Sequence, residues 1–296
     1  MNKVVKRTVT GISVGAGVIA LFLFAPLKTL PPVLLVLSTL VQLEFYQMAK
    51  AYKPVTGLGL LMGAAWLGAV AAFPAGVGAA RLLSCLPVAG VGATFLLSLV
   101  VLFRARYERP IGSLAVTLAG FFYVPFLLSF FLRVVQIGAP EGLFAMPASR
   151  AGLYTLLCLI AVAKFSDTGG FAFGLSFGRH KMCPTISPNK SWEGLFGSMV
   201  FAAATACVFL ALARHFGWAA TIPLWGRVSY IEAVCGGAAL ALVATGCDLI
   251  ESRFKRECGV KDSATFMPAG MGGFLDMFDS ILFIPALVYP FLVAHG

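Results

Sequence analysis

The stretch GLFGSMVFAAATACVFLALAR, residues 194–214, carries no charged side chain until its last position, Arg214. About 20 apolar residues wound as a helix cross the hydrocarbon core of a bilayer. A run this long, with no alternation of polar positions, reads as a helix and not as a strand of an outer-membrane barrel. Similar segments recur along the chain. Broken at its polar and Pro/Gly punctuation, the sequence holds nine candidate spans, over residues 9–27, 30–49, 57–79, 82–103, 112–136, 150–174, 194–214, 228–254 and 272–293. Pro74 and several glycines interrupt the third. The eighth ends in a charged run expected to leave the bilayer for the cytoplasm.

Composition agrees. Of the 296 residues, 59% are hydrophobic and only 11% charged, whereas a soluble globular chain is roughly 45–50% apolar and about 25% charged. Mean hydropathy is +0.93. These figures exclude a water-soluble fold and a disordered chain, and the 32 glycines and 16 prolines follow no triplet period. The expected fold is all-α: a polytopic integral membrane protein of about nine transmembrane helices, forming a single membrane domain over residues 1–296. MNKVVKR followed by an apolar run resembles a signal peptide, but no small-residue cleavage site follows Phe24-Ala25-Pro26, so an uncleaved first span is expected.

The net charge of +10 raises the question of nucleic acid. The membrane accounts for it more simply, because Lys and Arg gather in cytoplasmic loops, and no nucleic-acid partner is expected. With the N-terminus inside and nine spans, fifteen Lys and Arg fall on the inner side and six on the outer, leaving Lys164 within a span, which accounts for all 22. The seven cysteines contain no CxxC pair and mostly lie in apolar stretches, so they read as small buried hydrophobes and not as a disulfide or zinc framework.

The chain has only five aspartates, Asp167, Asp248, Asp262, Asp276 and Asp279, all in its C-terminal half. A carboxylate at the bilayer centre costs roughly 2.5–3.5 kcal/mol, so intramembrane acids point to a functional polar cavity. The blander alternative is internal neutralisation, since Lys164 and Asp167 are three apart on one helix.

Three segments carry the chemistry. In Gly246-Cys247-Asp248-Leu249-Ile250-Glu251-Ser252-Arg253-Phe254-Lys255-Arg256, helical spacing puts Asp248, Glu251, Ser252 and Lys255 on a single stripe. Arg253 and Arg256 are explained well enough by a helix end entering water. In Pro268-Ala269-Gly270-Met271-Gly272-Gly273, the glycines let backbone N–H groups approach an anion at a helix start, and Asp276 and Asp279 then share a face. In Ser187-Pro188-Asn189-Lys190-Ser191-Trp192-Glu193-Gly194, Ser187 or Ser191 is expected to cap a helix with Pro188 in its first turn. Lys190 would then stand at a helix N-terminus, unfavourable unless an anion intervenes, which points to phosphate. Arg179 and Lys181 read as an ordinary basic loop, and His180 as a loop residue and not a base. Acids at membrane depth beside basic residues at the rim specify a metal and phosphates. Carboxylates suit a hard ion such as Mg²⁺.

These residues resemble the CDP-diacylglycerol synthase (phosphatidate cytidylyltransferase) family. Its signature Ser-x-x-Lys-Arg-x4-Lys-Asp is matched by Ser252, Lys255, Arg256, Lys261 and Asp262, and its later glycines and aspartates by Gly272, Gly273, Asp276 and Asp279. The family's Ser-Pro-x-Lys-[Ser/Thr]-Trp-Glu-Gly loop is matched throughout 187–194, and Glu44-Phe45-Tyr46 also looks like the family. The resemblance implies transfer of a cytidylyl group from CTP to phosphatidate, releasing pyrophosphate and giving CDP-diacylglycerol. It implies Mg²⁺ on Asp248 and Asp276, with room for a second, monovalent or divalent, cation. Asp248, Asp276, Asp279 and Lys255 would be catalytic. Lys190, Ser187, Ser252, Arg256, Lys261, Asp262, Gly272, Gly273 and Asp167 would bind substrate. It further implies a homodimer in the inner (plasma) membrane, with residues 1–150 as scaffold and dimerisation region, 151–296 carrying the motifs, and the site facing the cytoplasm.

The departures are specific. Met271 stands for the signature histidine, Met277 for the signature arginine, and Lys164 for a tryptophan near the sixth span. These leave open a related CTP-dependent enzyme with another lipid acceptor, or a non-catalytic paralogue. A transporter with a carboxylate relay would explain Asp167 and Lys164, but not the Ser187–Gly194 loop or the glycine turn.

Overall fold

The computed structural model describes residues 26–73, 110–137, 151–217, 223–260, 263 and 273–295. Within them, five helical segments are long and apolar enough to cross a membrane: Leu27–Met48, Pro110–Gln136, Ala151–Phe177, Trp192–His215 and Tyr230–Glu257. Thr56–Ala72 and Ile284–Ala294 are shorter apolar helices. The chain is a mostly helical, multi-pass membrane protein. Residues 9–25 of the first expected span and the whole of the span expected over 82–103 lie outside the described residues.

Helix α1 (Leu30–Met48) starts with Pro31 and Pro32 in its first turn, where a missing N–H costs nothing. Helix α2 (Thr56–Ala72) returns beside it. The third described span is not one regular helix. Helix α3 (Pro110–Phe121) passes through a π-helical turn, Phe122–Phe126, into α4 (Leu127–Gln136). Pro125 within that turn removes a backbone donor. A wide turn re-aims the side chains it carries, and here three consecutive residues, Tyr123, Val124 and Pro125, face inward.

Neutral polar groups tie this N-terminal set together. Gln42 Nε2 donates to Gly59 O (3.0 Å) and to the Tyr46 hydroxyl (3.0 Å), and that hydroxyl donates to Thr117 O (2.8 Å). Thr117 Oγ1 accepts from Val55 N (2.9 Å), and Ser113 Oγ donates to Tyr52 O (2.8 Å).

Helices α5 (Ala151–Phe177) and α6 (Trp192–His215) pack along most of their length. Glycines make this possible: a Cβ on Gly169 would meet Gly197 O at 2.5 Å, and one on Gly197 would meet Gly169 O at 2.7 Å. Their connection corrects the expectation for residues 187–191. Strands β1 (Lys181–Cys183) and β2 (Ser187–Ser191) form an antiparallel hairpin, so Pro188 is in a strand and not in a first helical turn. Ser191 is the cap, its Oγ accepting from Gly194 N (3.1 Å).

The short helix α7 (Pro223–Arg227) leads to α8 (Tyr230–Glu257), which starts with a capping box of Ser229 and Glu232 and packs on α6. The segment expected as a ninth span is broken into α9 (Phe274–Phe278) and α10 (Ile284–His295). Leu128, Phe131, Leu132, Leu153, Leu156, Leu275 and Leu282 form a buried core between the two halves. Phe171, Leu175, Phe177, Phe196, Val208 and Ile231 point outward, an apolar exterior suited to lipid. The six described cysteines are free thiols, as expected, but only Cys158 and Cys247 are buried.

Candidate active site

The stripe along α8 points inward as its spacing requires. Asp248 accepts from Ser252 Oγ at 3.4 Å, and Glu251, fully buried, pairs with Lys255. The broken segment supplies the opposite wall. Lys255 also donates to Asp276 Oδ1 at 2.7 Å, so one ammonium joins two carboxylates. Asp276 Oδ2 accepts from Gly273 N at 2.7 Å and Ser263 N at 3.3 Å, capping the helix that carries it.

Asp279 follows the end of α9. One oxygen from each of Asp248, Glu251 and Asp279 lies within 4.8 Å of the others. The sequence expectation grouped Asp248 with Asp276. Here Asp279 occupies that place, while both Asp276 oxygens are held by Lys255 and by backbone N–H groups.

Lys190 reaches the same cluster from the hairpin. Its Nζ lies 2.6 Å from Asp248 Oδ2 and donates to Thr245 O at 3.0 Å. The anion inferred beside Lys190 is therefore met, in this structure, by a carboxylate of α8. On the far side, Lys164 Nζ donates to Met277 O (3.0 Å) and Ser280 Oγ (2.9 Å) and lies 3.7 Å from Asp167 Oδ2. Ser280 Oγ donates to Asp167 at 2.8 Å. The Lys164–Asp167 neutralisation foreseen as an alternative does occur, but both groups also lock α5 onto the break after Asp279. Lys164 thus brings a cation to the residue that replaces the signature arginine.

The remaining expected residues divide clearly. Ser252 joins the cluster; Arg256 reaches outward, its Nε donating to Ile186 O of the hairpin at 3.4 Å. Ser187 is partly buried in β2 and pairs with Cys183. Gly273 has no room for a side chain, since a Cβ there would meet Glu44 Oε2 at 2.6 Å. Lys261, Asp262, Gly272 and Met271 lie outside the described residues. His180 is a loop residue, as expected, its Nδ1 donating to Glu193 Oε1 at 2.6 Å.

Residue-by-residue reading of the charge pattern missed the part played by Glu44. Fully buried on α1, it accepts from Leu275 N at 2.9 Å and so holds the first turn of α9. Its signals were an acid amid an apolar span and the family-like Glu44-Phe45-Tyr46.

Electrostatics define what this site can do. Two like charges 4.8 Å apart repel by about 3.5 kcal/mol at an effective dielectric of 20. Asp167, Asp248, Glu251, Asp276 and Asp279 face Lys164, Lys190 and Lys255, five carboxyl groups to three ammonium groups. Among the described residues no donor reaches the buried Glu251 Oε1. An all-oxygen set of partly to fully buried carboxyl groups fits one hard divalent cation.

A profile of the cytidylyltransferase family matches residues 5–295. This chain belongs to that family. Cytidylyltransferase-family relatives include the phosphatidate cytidylyltransferases of Mycobacterium bovis, 39% identical over 138 residues (47% of this chain, 40% of the relative), and of Haemophilus influenzae, 38% identical over 130 residues (44% and 42%). Phosphatidate cytidylyltransferase 5, chloroplastic, of Arabidopsis thaliana is 30% identical over 219 residues, covering 69% of this chain and 51% of the relative. These matches thus span about two fifths to half of each relative's own length.

Proposed function

We propose that this cytidylyltransferase-family chain acts as a phosphatidate cytidylyltransferase, taking CTP and phosphatidate to CDP-diacylglycerol and pyrophosphate. The observation that carries the reading is the convergence of Asp248, Glu251 and Asp279 with Lys190 and Lys255, drawn from three separate elements. Two polyanions must meet, so cations are the first requirement. A phosphate nucleophile is already ionised, and the cluster accordingly needs no general base.

Asp248, Glu251 and Asp279 would hold Mg²⁺, with Asp276 adjacent across Lys255. When bound, the ion supplies charge neutralisation for phosphate oxygens. Lys190, at the hairpin rim, is suited to exchange Asp248 for a phosphate group of CTP. Lys255 neutralises charge that develops as the phosphatidate oxygen attacks the α-phosphorus and pyrophosphate departs. Lys164 and Asp167 fix the break that presents Asp279. Glu44 and Gly273 fix the start of α9.

The proposed setting is the inner (plasma) membrane, with the site open to the cytoplasm, supported by the Lys/Arg asymmetry. The nine-span count rests on the apolar runs of the sequence, and a homodimer formed through residues 1–150 rests on the family resemblance. Radiolabelled CTP supplied to the purified chain with phosphatidate or a polyprenol, with and without Mg²⁺, tests the proposal. Mg²⁺-dependent label in lipid with phosphatidate alone is expected. Label only with the polyprenol would move the acceptor, and none with either would contradict transfer.

A further inference from the structure

Tyr123 sits on the π-helical turn of the third described span, far in sequence from the motifs. Its ring is packed on three sides by aromatic rings: Phe254 at 5.4 Å between centroids, Phe283 at 5.8 Å and Phe45 at 5.7 Å. Phe254 lies one helical turn beyond Glu251, and Phe283 four residues beyond Asp279. The ring is therefore wedged between the two elements that carry the acid cluster.

Edge-to-face packing of this kind is satisfied by a phenylalanine ring. The hydroxyl needs another explanation. Tyr123 is only 7% exposed, and among the described residues its oxygen has no hydrogen-bond partner. The ionisable groups whose charges act on it are Glu251, Asp279, Asp248 and the Cys247 thiol. An unmade hydrogen bond on a buried polar group costs about 1–3 kcal/mol. A π turn that wedges such a group between the elements carrying Asp248, Glu251 and Asp279 is a feature found at functional sites.

We propose that Tyr123 is a positioning residue of the cluster, its O–H donating to an oxygen ligand of the cation held by Asp248, Glu251 and Asp279. The inference rests on the metal reading given above. The oxygen belongs either to water or to a phosphate group, and these sources separate experimentally.

Tyr123→Phe removes the hydroxyl and keeps the ring. Thermal unfolding of the detergent-purified full chain would be followed without ligand, with Mg²⁺ alone, and with Mg²⁺ plus CTP. Transferase kinetics would be measured in parallel. The variant is expected to unfold at or above the wild-type temperature, because an unpartnered polar group has gone. A water ligand predicts a five- to tenfold rise in the Mg²⁺ concentration needed for half-maximal stabilisation. A phosphate ligand predicts an unchanged Mg²⁺ response and a similar rise in KM for CTP. A variant that matches wild type in both responses overturns the proposal, as does one that unfolds earlier, which would give the hydroxyl a purely structural partner. Absence of any Mg²⁺ or CTP response in the wild-type protein would instead overturn the metal reading itself.

Discussion

Two polar clusters lie inside this apolar molecule, and they obey different rules. Between α1, α2 and α3, Gln42, Tyr46, Ser113 and Thr117 are neutral, and each is hydrogen-bonded to backbone or to a neighbour. Between α5, α8, α9 and the hairpin, five acids meet three lysines, and a buried carboxylate oxygen is left without a donor. The first cluster is complete by itself and holds helices in place. The second holds more carboxyl groups than lysines, an arrangement suited to receiving a further cation.

Substitutions should respect that division. The largest effect is expected for Asp248→Asn, which removes a proposed cation ligand and the partner of Lys190. Turnover should fall by roughly 100-fold or more, and stabilisation by Mg²⁺ should vanish, as read by CTP incorporation and thermal unfolding. Asp276→Asn sharpens the contrast within the cluster. Turnover should drop through Lys255, while Mg²⁺ stabilisation persists; loss of both would return Asp276 to the ligand set.

Lys190→Met comes next. About a tenfold or greater rise in KM for CTP is expected, with insertion into the membrane unchanged on fractionation. Tyr46→Phe attacks the other cluster. It strips the donor from Thr117 O, so stability should fall by about 1–3 kcal/mol, with the rate per folded molecule within about twofold of wild type. A large rate loss there would erase the distinction between the clusters. Met277→Arg should have the smallest effect. Lys164 already supplies a cation at the Met277 carbonyl, and a pronounced fall in activity would mean the site has been rebuilt around methionine.

Much of the fold was legible because membrane helices announce themselves by length alone. The stripe of Asp248, Glu251, Ser252 and Lys255 was equally legible, since helical spacing converts directly into a face. The hairpin was not. Its strands are short and polar with no alternating apolar face, so Ser187 and Pro188 resembled a helix start. The spacing of Asp276 and Asp279 did not show their separate surroundings: Asp276 caps the start of α9 through Gly273 N, whereas Asp279, at its C-cap, lies with Asp248 and Glu251. Lys190 meeting Asp248, Glu44 meeting Leu275 and Tyr123 meeting Phe254 and Phe283 are contacts between distant segments, which no local pattern encodes.

The account stands on a cation bound by Asp248, Glu251 and Asp279. Electron paramagnetic resonance of Mn²⁺ added to the purified chain tests this most directly. One bound Mn²⁺ per chain is predicted, displaced by Mg²⁺ and lost in Asp248→Asn and Asp279→Asn. A wild-type spectrum that stays that of free Mn²⁺ would contradict it.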